Sequence, residues 1–251
     1  MSGGGSVGGE PAGSGGSVGG KPVSSGGPVG GKPVGGGGSV GSGGPTGGGS
    51  AGGEPVVSDP DLLSGRLFFA VPVPSATRAR LEAALPEVAR ALPEARVASA
   101  AGWHLTLAFL GQVRPESAAE VVRVGETAVA GVPAAHLRLA GAGGFPNARR
   151  ARVLWAGVGG EVEVLATLAK TLAEECRRAG LRYEERELHP HLTVARLKQP
   201  VPLPEPTLEL VRTVSAASPP WHARELCCYR SILSRSGARY EVVRKFPLGR
   251  S

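Results

Sequence analysis

One short pattern occurs twice in the chain, as His104-Leu105-Thr106-Leu107 and as His191-Leu192-Thr193-Val194. On a β-strand, residues i and i+2 share a face. Each copy would therefore present an imidazole and a hydroxyl together, backed by Leu105, Leu107 and Phe109 in the first and by Leu192 and Val194 in the second. Two such strands facing each other across a cleft suit phosphodiester cleavage without a metal. With an ordinary histidine pKa of about 6.5, one ring can be neutral and the other protonated near neutral pH. The neutral ring takes a proton from attacking water and the protonated ring gives one to the leaving oxygen, each transfer being worth roughly 10²–10⁴ in rate. The threonine hydroxyls can donate to non-bridging phosphate oxygens. A lone H-x-T is weak evidence, more often an accident of surface or core. Two copies 87 residues apart (191 − 104), each with an apolar-alternating flank, are harder to dismiss. No Asp, Glu or Cys stands at ligand spacing beside either histidine, so the pattern does not read as a metal site.

Both motifs sit in stretches that read as strands. The strand-like segments are 66–73, 103–110 (stopped by Gly111), 136–142, 152–158, 189–197, 208–216, 225–233 and 239–246, all rich in β-branched, aromatic or alternating apolar residues. Helices are expected from an N-cap at Ser75 past Pro86 to Leu92, after Pro115, and over 161–180, where Gly180 closes the last turn behind Arg177 and Arg178. The order βαβαββ, then a helix and four closely linked strands, argues for antiparallel pairing and an α+β fold.

Composition divides the chain. Residues 1–60 hold 26 of the 40 glycines and 7 of the 22 prolines, with no Leu, Ile, Phe, Tyr or Trp. Such a stretch buries too little to offset its ordering entropy, and we expect a disordered Gly/Ser/Pro-rich tail followed by one domain over 61–251. The formal charge of +7 splits into −1 for the tail and +8 for the rest, a balance that draws polyanions or simply solvates a surface. Cys176, Cys227 and Cys228 form no even-numbered framework, which points to a reducing cytosol, and adjacent Cys227 and Cys228 should face opposite ways. No signal-peptide pattern and no apolar run of membrane-spanning length is present, so a soluble cytoplasmic protein is expected.

The paired motifs resemble those of the 2H phosphoesterase superfamily. Five segments are similar to its RNA 2′,3′-cyclic phosphodiesterase branch, historically called 2′-5′ RNA ligase. They are RLFFAV, WHLTLAFLGQV, FPNARRARVLWAGV, HPHLTVAR and LCCYRSILSRSGARYEVVRKFPL, together spanning about residues 64–248 in the family's order. The resemblance implies a bilobal fold, two antiparallel sheets facing a central cleft with helices outside. It also implies hydrolysis of RNA 2′,3′-cyclic phosphate ends to 2′-phosphomonoesters, with His104 as proton donor, His191 as proton acceptor, and Thr106 and Thr193 holding the phosphate. No cofactor or metal is implied, the partner is RNA bearing a cyclic phosphate end, and a monomer is expected. The tail has no counterpart.

Arg196 matches a basic position that the family uses near the phosphate, but strict alternation turns it away from His191, so a bulge or twist is required. Phe109 shares parity with core-facing leucines and is read first as core. Phe145, in an expected loop near Arg149, Arg150 and Arg152, is a candidate for RNA contact. His189 reads as a bystander, and His136 and His222, lacking a Thr partner, as structural or exposed. Ala108 stands where relatives often carry a basic residue. Three other readings stay open: 2′-5′ RNA ligation at the same site, non-catalytic binding of RNA ends, and cyclic phosphodiesterase action on a small nucleotide.

Overall fold

The structure, a computed structural model, describes residues 62–184, 187–234 and 237–249. The glycine-rich stretch over 1–60 lies outside these residues. The elements in chain order are β1 (Gly65–Pro72), α1 (Ser75–Ala83), α2 (Leu85–Ala91), β2 (Ala95–Val97), β3 (His104–Val113), α3 (Ala118–Val129), β4 (Ala135–Phe145), β5 (Ala151–Gly160), α4 (Val162–Arg178), β6 (His191–Val201), α5 (Glu205–Ala216), β7 (Trp221–Ala223), β8 (Glu225–Ser234) and β9 (Gly237–Pro247). They form two sheets, one ordered β3-β1-β8-β9 and the other β2-β6-β5-β4-β7, and every strand pair is antiparallel. The α+β expectation therefore holds.

Helices cover one face of the strands. Helix α4 buries Leu165, Leu168, Leu172 and Cys176, a 3.6-residue stripe, and packs against β3 and β4. Helix α3 leans on α4, β8 and β9, and α5 lies on β4. Glu175 ties α3 to α4. It is only 4% exposed and bonds Arg123 at 3.0 Å as well as Arg178. The core under the helices takes Leu67, Phe69, Val71, Leu105, Leu154, Leu192 and Val194.

Three sequence expectations are corrected. Residues 208–216 form most of helix α5 and not a strand. Pro206 stands in its first turn, and Thr207, Leu208, Val211 and Ser215 are buried at helical spacing, which outweighs the β-branched content that suggested a strand. Arg212 adds ion pairs to Glu205 and Glu209 on its outer face. The helix expected to run through Pro86 breaks instead at Ala84, with Pro86 in the first turn of α2, because a proline in a helix interior has no N–H to donate and crowds the preceding turn. Strand β3 also runs on past Gly111, which takes a left-handed φ of 70° at a slip in register. No described helix is long and apolar enough to cross a membrane.

Candidate active site

The segment between β2 and β3 brings the two histidine strands together. Strand β2 pairs with β6 from Ala95 opposite Leu197 to Val97 opposite Ala195. The chain stays on β6 after that, with the Ala98 N–H donating to the Val194 carbonyl at 2.8 Å and the Trp103 Nε1–H donating to the Thr193 carbonyl at 2.8 Å. His104 follows at once. The first motif therefore enters its own sheet pinned to the second motif's strand, and the Trp103 indole is the bridge between them.

On β3, His104 and Thr106 share a face, opposite Pro72 and Ala70 of β1. That face is aromatic. The His104 ring lies 4.7 Å from Phe68 and 5.3 Å from Tyr229 between centroids, with Tyr240 edge-on at 4.8 Å. These rings strip water from the imidazole and, with a smaller push from charge on His191, pull its pKa from 6.5 down to about 4. A bond to the Gly102 carbonyl works the other way and is outweighed.

On β6, His191 and Thr193 share a face with Gly157 and Trp155 of β5. The His191 Nδ1–H donates to the His189 carbonyl at 2.6 Å, which requires the proton on Nδ1 and leaves Nε2 as the acceptor of the neutral ring. Burial lowers this histidine as well, the His189 bond opposes it, and the Arg196 and His189 charges lower it further. A cation beside His191 favours the neutral ring that a general base must be.

Among the residues singled out in the sequence, Arg196 meets its condition. Register slips between Leu154 opposite Ala195 and Trp155 opposite Thr193, so Val194 is the extra residue of a bulge and Arg196 returns to the His191 face. Phe145 is the last residue of β4 and not a loop residue; its ring stands edge-on to His191 at 4.9 Å and 5.5 Å from Trp155. Phe109 is corrected. Phe69 faces Ala108 while Ala70 faces Thr106, so Leu107 is skipped and parity inverts beyond it. Ala108 is then buried, and Phe109 joins Phe68 on the site face at 6.3 Å, with Arg66 over its ring. His189 is no bystander: its carbonyl orients His191, and its exposed ring lies 6.0 Å from Phe145 and 3.6 Å from a Glu187 carboxylate oxygen. His136 and His222 are exposed, with ring centroids 4.9 Å apart and the rings tilted by 48°. Cys227 and Cys228 do face opposite ways, and burial holds the Cys227 and Cys176 thiols up at about 12. Among the described residues no group of three or more His, Cys, Asp or Glu could hold a metal ion.

The family model of the 2′-5′ RNA ligase superfamily matches residues 73–232, a span that contains both motifs, the whole five-stranded sheet, and β3 and most of β8 of the other. The chain belongs to that superfamily. A superfamily member from Archaeoglobus fulgidus, named RNA 2′,3′-cyclic phosphodiesterase, is 31% identical over 184 residues, 72% of this chain and 99% of that protein. Its namesake from Escherichia coli K12 is 30% identical over 188 residues, 73% of this chain and 96% of the relative. Against the Geobacillus stearothermophilus protein of the same name, 30% identical over 181 residues, the match spans only 56% of the relative's length. Among solved structures, TT0787 of Thermus thermophilus aligns with TM-score 0.59 and 29% identity over 73% of this chain and 97% of the other. Escherichia coli LigT complexed with 3′-AMP aligns with TM-score 0.55 and 25% identity over 74% and 99%. Both motifs lie within the matched span, but Trp103, Phe68, Tyr229 and Tyr240 were not found by reading the sequence. They come from four segments, and only the pairing of β1, β3, β8 and β9 gathers the last three around His104.

Proposed function

We propose that this protein, through a domain over 61–251, hydrolyses RNA 2′,3′-cyclic phosphate ends to 2′-phosphomonoesters by two-histidine acid–base catalysis without a metal. The observation that carries the reading is the convergence of the two H-x-T pairs, pinned by the Trp103–Thr193 bond and each with an imidazole anchored to a nearby backbone carbonyl. His191 Nε2 accepts a proton from water as its oxygen bonds to phosphorus. The P–O3′ bond breaks, and His104 gives its proton to the departing 3′ oxygen. Thr106, Thr193 and Arg196 hold the non-bridging oxygens, and Phe145 borders the substrate beside His191. Burial keeps both rings neutral in the free protein. An anionic phosphodiester docking against His104 favours its charged form, so the acid takes up its proton with the substrate, while the Arg196 charge holds His191 toward the neutral form. The names of the superfamily relatives support this reading.

The test is incubation of the protein, with EDTA present, with an oligoribonucleotide ending in a 2′,3′-cyclic phosphate. A 2′-phosphate end is expected, and His104→Ala or His191→Ala should reduce its formation by at least about 10²-fold while the fold survives. Undiminished activity in either variant would overturn the assignment. Joined product with a 5′-hydroxyl acceptor and no ATP would place ligation first, and salt-sensitive binding without product would favour an RNA-end binder.

A further inference from the structure

The strands that carry the second motif have an unbalanced charge. Residues 136–160 and 188–204, which make β4, β5, β6 and their turns, contain Arg138, Arg149, Arg150, Arg152, Arg196 and Lys198 and no Asp or Glu. Among the other described cations, Arg114, Arg123, Arg178, Arg212, Arg230, Arg239, Arg244 and Lys245 each have a carboxylate within 4.0 Å. Arg149, Arg150, Arg152, Arg196 and Lys198 have none among the described residues, and all five are exposed.

These five are held in one place. Beyond the bulge, Arg196 and Lys198 continue the outward face of β6 that starts with His191 and Thr193. Arg152 Nη1 donates to the Lys198 carbonyl at 3.3 Å. Arg149 and Arg150 sit in the β4–β5 turn, where the Asn147 Oδ1 accepts both of their backbone N–H groups at 3.1 Å. The Leu203 N–H donates to the Ala148 carbonyl at 2.8 Å and fastens that turn to the chain leaving β6. Same-face residues on a strand repeat at about 7 Å, comparable with consecutive phosphates on an extended sugar–phosphate chain. From His191 the outward positions of β6 run Thr193, Arg196, Lys198, about 20 Å in all.

We propose that β6 beyond Thr193, with the β4–β5 turn, is the track for the single-stranded RNA that precedes the cyclic phosphate. The substrate is then an oligoribonucleotide of at least three nucleotides and not a mononucleotide. Lys198, Arg149, Arg150 and Arg152 contact upstream phosphates and take no part in the bond change. This inference rests on the phosphodiesterase reading, which it makes more specific.

The test compares a 2′,3′-cyclic mononucleotide with a tetranucleotide ending in the same group, using the wild type and the triple variant Arg149→Ala, Arg150→Ala, Lys198→Ala. In the wild type, kcat/KM is expected to be at least about 10-fold higher for the tetranucleotide and to fall with salt. In the variant, that advantage disappears while mononucleotide turnover stays within about 2-fold, and the salt slope of log kcat/KM shrinks by about 2, as three lost contacts to a single strand require. Equal kcat/KM for the two substrates in the wild type, or an equal loss on both in the variant, overturns the track and leaves the phosphodiesterase reading standing. If neither substrate turns over, that reading fails. Fluorescence anisotropy of a 2′-phosphate-ended tetranucleotide then decides the track: salt-sensitive binding lost in the variant supports it, and unchanged binding overturns it.

Discussion

Replacing His104 with glutamine, which keeps much of the side-chain volume and cannot titrate, should change how stability depends on pH. The wild-type ring is ordinary in the unfolded chain, at 6.5, and is drawn down to about 4 in the folded protein by the Phe68, Tyr229 and Tyr240 rings. Between these values the unfolded chain binds a proton that the folded protein refuses, so acid favours unfolding. Above 6.5 the term vanishes, and below about 4 it is fully expressed. At about 1.36 kcal/mol per pH unit, the wild type should lose about 2 kcal/mol by pH 5 and at most about 3 kcal/mol by pH 4 through this one group. Urea unfolding of wild type and H104Q between pH 7.5 and pH 4 isolates it, because the carboxylates titrate alike in both proteins. The difference in stability between the two should move in favour of H104Q as pH falls. A constant difference, or a His104 ring resonance with a midpoint near 6.5 in NMR, would refute the argument.

Inorganic phosphate should raise the NMR midpoint of His104 by at least about 1 pH unit, since an anion within a few ångströms favours the imidazolium; an unmoved midpoint would remove the account of how the acid acquires its proton. Trp103→Phe deletes the 2.8 Å bond to the Thr193 carbonyl. It should cost about 1 kcal/mol in denaturant unfolding and lower kcat more than it changes KM. Thr193→Val removes the hydroxyl proposed to hold the phosphate and should cut kcat/KM by about 10-fold or more in the cyclic phosphate assay, a loss of at least about 1.4 kcal/mol of transition-state binding. Gly125→Ala places a Cβ 2.3 Å from the buried Phe246 ring, and calorimetry should show about 1–3 kcal/mol of destabilisation with the site chemistry intact.

The motif strands, α4 and the antiparallel α+β class could be read from local pattern. H-x-T-x, alternation and a 3.6-residue apolar stripe are properties of neighbouring residues, and neighbours in sequence share a backbone. Residues 208–216 were misread because β-branched residues suggest a strand whenever their partner surface is unknown; only packing on β4 revealed that Leu208, Val211 and Ser215 form one helical stripe. Phe109 and Arg196 illustrate a second limit. A parity argument survives only until the first bulge, and skipped residues at Leu107 and Val194 send both side chains to the site face. Bulges are set by how two strands register, which no single strand contains.

The two H-x-T pairs, the excess of cations over carboxylates in the strands around the second pair, and the alternation that backs each histidine are all local, and the amino-acid sequence determines them without help from the fold. The tertiary structure alone decides that the two histidines lie near enough for the charge of one to act on the other. It does so by pairing residues 95–98 with β6, bridging Trp103 to Thr193, and closing three aromatic rings from distant strands around His104. The physical reason is that desolvation and charge proximity act through space. The sequence therefore supplies the two imidazoles, whereas burial against side chains from distant strands lowers their pKa values.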